Sequence, residues 1–103
     1  MNRNDFAKRL STLVGSSGIS ARDLSLKVGQ HTGYINSIEN GRILPSMEAF
    51  FKICEELEIT PVEFFDTTNK YPIVINRLLP YFSSLNRTEF DTIVNLITTF
   101  SHK

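Results

Sequence analysis

The chain has 103 residues, 41% of them hydrophobic, with eleven Lys and Arg against eleven Asp and Glu; this fits one compact domain and excludes a second full-sized one. One cysteine, Cys54, and two separated histidines, His31 and His102, give neither a disulfide framework nor zinc-binding spacing, so no metal and no cofactor are expected. The charge is uneven: residues 1–45 hold six cations and three acids, net +3, leaving the rest at −3, a pattern that turns an N-terminal surface toward an anion such as DNA.

Apolar residues recur at helical spacing almost throughout, and no segment sustains two-residue alternation, so the fold class is all-α. Phe6, Leu10, Leu13 and Val14 form one stripe of a first helix, with Asn4 as its N-cap and an end before Gly18. Ser20, followed by Asp23, opens a short second helix over 21–28 that buries Leu24 and Val28 and stops at Gly29. A third helix over about 32–40 turns Ile35 and Ile38 inward and ends at Asn40-Gly41. Ser46 caps a fourth, whose stripe is Met47, Phe50, Ile53, Cys54 and Leu57; Cys54 reads as a small buried hydrophobe, and Glu55, Glu56 and Glu58 as a solvated face. Thr60-Pro61-Val62-Glu63 is a capping box with proline at the first helical position, starting a fifth helix that carries Phe64 and Phe65.

Residues 66–71 are polar and read as a linker, dividing a unit at 1–67 from a C-terminal helical pair at 71–103. Its helices are expected over 72–84, where Pro80 should kink or shorten the chain, and over 86–101, where Asn86 and Glu89 repeat the capping-box spacing. Phe90, Ile93, Val94, Ile97 and Phe100 fall on one stripe of the last helix, and residues 71–100 hold fifteen large apolar residues in thirty. That surplus predicts that the pair is a homodimer interface. No run approaches a membrane-spanning length, and MNRNDFAKRL offers no uninterrupted apolar stretch of the secretory kind, so a cytoplasmic location and no membrane partner are expected.

Three short helices joined by tight turns, the third ending in Glu39-Asn40-Gly41, describe a helix-turn-helix in which small Ser25 lets two backbones approach. Leu24, Val28-Gly29, Ile35, Ile38 to Gly41, Pro45-Ser46, Leu57 and Phe65 resemble, in identity and spacing, the lambda Cro/repressor type of helix-turn-helix DNA-binding domain. The resemblance covers positions 18–65, reaches back through the first helix, and implies a five-helix domain that binds double-stranded DNA.

It places base-reading positions at Thr32, Gly33 and Ser37, with Asn36 and His31 flanking them, and phosphate-contacting positions at Asn40, Arg42 and Ala21. Asn36 suits adenine, His31 the backbone beside it, and Arg22 a neighbouring phosphate. Ala21 stands where the family often has glutamine, and the third helix offers no Arg, Lys or Gln for bidentate base contacts. Gly33, taken as interior to that helix, costs about 1 kcal/mol relative to alanine, which favours close approach of DNA or another chain. Tyr34 reads as a packing residue with its hydroxyl at the surface.

These readings together predict a transcriptional regulator, a repressor, that binds an inverted-repeat operator as a homodimer. Two alternatives keep the fold: a module that docks a small protein partner instead of DNA, and the antitoxin of a toxin–antitoxin pair. No phosphate-binding glycine loop, activated nucleophile or paired acid is present in the sequence, so no enzyme is expected.

Overall fold

The computed structural model describes residues 1–101. It consists of α1 (Arg3–Ser17), α2 (Ala21–Lys27), α3 (Tyr34–Glu39), α4 (Met47–Leu57), α5 (Pro61–Phe65), α6 (Pro72–Phe82) and α7 (Arg87–Ser101), with no strand among the described residues. The fold is all-α, as periodicity predicted; His102 and the end of the C-terminal segment lie outside the described residues.

Most helix starts follow local chemistry. The Ser20 and Ser46 hydroxyls accept from the backbone N–H groups of Asp23 and Ala49, and Thr60 with Glu63 closes a reciprocal capping box. Asn86 and Glu89 do the same at the head of α7. The cap of α1 differs from expectation: it is Asn2, not Asn4, because Asp5 stands three residues after Asn2 and bonds reciprocally with it. Helix α3 begins two residues later than expected, at Tyr34, which leaves Thr32 in the turn and Gly33 at the cap. Met47 is 64% exposed and lies outside the buried stripe of α4, where Ala49 packs with Phe50, Ile53, Cys54 and Leu57. Helix α6 carries Pro80 within its last turn and ends at Phe82, two residues early, consistent with the missing donor.

The core closes around α1, which packs against α3, α4, α5 and α6. Leu10, Leu13, Leu24, Ile35, Ile53, Leu57 and Phe64 are fully buried, and the Phe6 and Phe50 rings meet Phe64 at centroid distances of 4.8 and 5.0 Å. One charged side chain joins them. Arg9 is 6% exposed and donates from Nε to the Phe64 carbonyl at 2.5 Å and from Nη2 to the Glu63 and Asp66 carbonyls at 2.7 and 2.9 Å. It thereby satisfies the Glu63 and Phe64 carbonyls, which a five-residue helix leaves without partners, and shares the Asp66 carbonyl with the Asn69 N–H.

The segment after the linker divides by packing. Ile73 is fully buried in the same core, Asn76 donates to the Glu63 carboxylate at 2.9 Å, and Arg77 donates to the Ser17 carbonyl at 3.0 Å, so the first half of α6 is fastened to the N-terminal unit. Helix α7 buries no residue and meets α6 near their shared turn, where the Phe82 and Phe90 rings lie 6.3 Å apart.

Candidate nucleic-acid interface

The geometry of the site depends on how α2 holds α3. Gly29 adopts φ +79°, a left-handed turn that a side chain would strain, and Gly41 closes the far end of α3 at φ +72°. Between them, the fully buried Ser25 hydroxyl donates to the Ala21 carbonyl at 2.7 Å and accepts the Ile35 N–H at 3.0 Å. Ser25 is therefore a hydrogen-bonded clasp as well as a small residue: it satisfies a first-turn donor of α3 from the helix crossing it. At the other end of α3, Glu39 accepts from the Ser11 hydroxyl of α1 at 2.8 Å. Tyr34, Ile35 and Ile38 face the core, which fixes the rotation of α3 and turns Asn36 outward.

Thr32, Asn36, Asn40, Arg22, His31 and Arg42 are exposed, and Ser37 and Gly33 are partly so. The side chains of Thr32, Asn36, Ser37, Asn40, Arg22 and Arg42 make no hydrogen bond among the described residues, in contrast to Ser25 and Glu39 a few positions away. The outer side of α3 and its flanking turns thus present unused donors and acceptors. His31 is engaged locally, since its Nδ1 accepts the Gly33 N–H at 3.2 Å and its ring meets Tyr34 edge-on at 6.1 Å. That leaves the Nε2 edge for an external partner.

Gly33 requires a correction. It is not interior to α3, so the helix-interior penalty does not apply; its φ of −93° is open to any residue, and an added Cβ would meet the His31 ring at an ordinary 3.6 Å. Nothing among the described residues demands glycine there.

The positive charge assigned to this surface is also smaller than the sequence count. Arg9 contributes to the +3 of residues 1–45 but is spent on carbonyls at the end of α5. Sequence reading missed this role, and a signal existed: Arg9 lies one position before Leu10, on the flank of the apolar stripe. An apolar strip also adjoins the end of α3, where Ile43, Leu44, Met47 and Phe51 are exposed.

Elsewhere the chain offers little chemistry. Burial pushes the Cys54 thiol up to about 11, which keeps it protonated and unreactive at neutral pH. Among the described residues no three His, Cys, Asp or Glu side chains gather as metal ligands, and no helix is long and apolar enough to cross a membrane.

Comparison with known proteins agrees with this geometry. A family model described as helix-turn-helix, of the Cro/C1 type, matches residues 12–64, from the middle of α1 to α5. No curated protein and no solved structure matches the chain.

Proposed function

Since the chain belongs to this helix-turn-helix family, whose domains bind DNA in transcription regulation, we propose that it is a repressor that reads an inverted-repeat operator as a homodimer. The observation that carries the reading is the row of unspent polar side chains along the outside of α3 and the turn before it, Thr32, Asn36 and Ser37; exposed Arg22, in the first turn of α2, and Arg42, just after α3, are the cations we assign to phosphates. Small hydroxyl and amide side chains discriminate a few base pairs, each worth toward the low end of ~1–3 kcal/mol, so two copies are needed for useful specificity.

Helix α7 supports the second copy. Its fifteen residues bury nothing, and Phe90, Val94 and Ile97 are exposed along one side, with Ile93 partly covered and Phe100 further along the same stripe. An isolated helix of this length is marginal in water, so a matching stripe from another copy is the natural cover. Like the interface, the cytoplasmic location belongs to this proposal.

Selection of bound duplexes from a random pool tests it. The expected product is an inverted repeat with half-site centres about 10 base pairs apart, or a multiple of that. Recovery of no sequence would favour a second reading, in which the apolar strip of Ile43, Leu44, Met47 and Phe51 makes the same fold a docking module for a small protein, an antitoxin included.

A further inference from the structure

A cleft of about 680 Å³ opens between the N-terminal half of α1 and the connection from α5 to α6, on a part of the molecule that the DNA-binding reading does not use. Its size is that of small-molecule sites. Asp5, Lys8 and Arg9 line it from α1, Phe65 from the end of α5, and Lys70 and Tyr71 from the linker.

Arg9 makes this more than a dent in the surface. Three carbonyls hold its Nε and Nη2, while Nη1 makes no hydrogen bond in the described chain. No buried side-chain nitrogen or oxygen among the described residues lacks a partner, so Nη1 keeps contact with solvent, and Arg9, its guanidinium fixed by the three carbonyls, lines the cleft. A cation immobilised by the fold binds an anion with little further loss of side-chain freedom.

Two acids stand nearby against three cations: Asp5, which lines the cleft and accepts the Asn2 N–H in the cap of α1, and Asp66, whose carboxylate accepts the Thr68 N–H and hydroxyl and attracts Arg9 without forming an ion pair to it. Lys8 and Lys70 are exposed, and neither is ion-paired among the described residues. Beside these three cations stand two aromatic rings, Phe65 at 50% exposure and Tyr71 at 57%. Phe65 is backed by the Phe50 and Phe64 rings at 5.4 and 5.2 Å, and cations around two half-exposed rings suit a ligand with an anionic head and a flat apolar body.

We propose that this cleft binds a small aromatic carboxylate, its carboxylate held by Arg9, Lys8 and Lys70 and its ring system lying against Phe65 and Tyr71. The proposal stands on the cleft alone and holds whether or not the protein binds DNA.

Titration of the full chain with 2-naphthoate, followed by amide NMR shifts, tests it. Saturable shifts of the Lys8, Arg9, Phe65, Lys70 and Tyr71 amides are expected, with a Kd of about 1 mM or tighter. The exposed pair Lys8→Ala/Lys70→Ala should keep its thermal melt and bind about tenfold more weakly, equivalent to about 1.4 kcal/mol. Absence of saturation overturns the proposal, as does unchanged affinity in the double variant or in Lys70→Gln, which serves if the pair misfolds. Equal shifts with 2-naphthylmethylammonium would show an apolar cleft indifferent to charge, and equal affinity for acetate would show that the rings contribute nothing; either result rejects an aromatic carboxylate.

Discussion

Arg9 and Arg42 contribute equally to the charge of residues 1–45, yet Arg42 reaches solvent at the end of α3 while Arg9 is enclosed beneath α5. Removing Arg9 strands the Glu63 and Phe64 carbonyls, so Arg9→Ala should destabilise the fold by about 2–3 kcal/mol in urea unfolding. Arg42→Ala should leave stability within about 0.5 kcal/mol and weaken binding to all DNA sequences alike. Thr32→Ala should instead relax preference at one symmetric pair of operator positions, read by repeating the duplex selection. With Arg22 and Arg42 as the phosphate contacts of each subunit, the log–log salt slope of a dimer should be about −4, flatter than the sequence charge suggests. A slope of zero would favour protein docking. Cys54 should resist thiol reagents at neutral pH until the chain unfolds, since burial raises its pKa to about 11.

Helix junctions separate what is local from what is not. The caps at Ser20, Ser46, Thr60 and Asn86 are legible in the sequence because donor and acceptor lie three residues apart. The start of α3 is not, because its Ile35 donor is satisfied by Ser25, ten residues away on another helix. Ser25→Ala should leave that N–H buried without an acceptor and cost ~1–3 kcal/mol in urea unfolding, with DNA affinity falling as α3 loosens. At the α5 cap, the hydrogen bond from the Thr60 N–H, aided by Asn76, lowers the Glu63 pKa. Because the folded value is the depressed one, this stabilisation is complete above the ordinary glutamate range and is lost as pH falls through the folded pKa. Thermal melts from neutral to about pH 3 should therefore show a smaller acid-induced drop for Glu63→Gln than for the parent chain.

Over the whole molecule, the N-terminal unit and the first half of α6 share one core, while α7 buries no residue and leaves Phe90, Val94 and Ile97 exposed. Helicity should then depend on protein concentration, because dissociation leaves α7 marginal. Val94→Asp/Ile97→Asp should sediment as a monomer with reduced helical signal; a variant with the parent's mass would rule out α7 as the interface. The sequence by itself determined the all-α class, most helix ends and the helix-turn-helix spacing, since periodicity, caps and turn glycines act within a few residues. Tertiary structure decided which polar groups are spent: Arg9 on α5, Ser25 on α3, and Thr32, Asn36 and Ser37 on nothing among the described residues. Hydrogen bonds spanning as many as 57 residues make that division, and no local pattern records them.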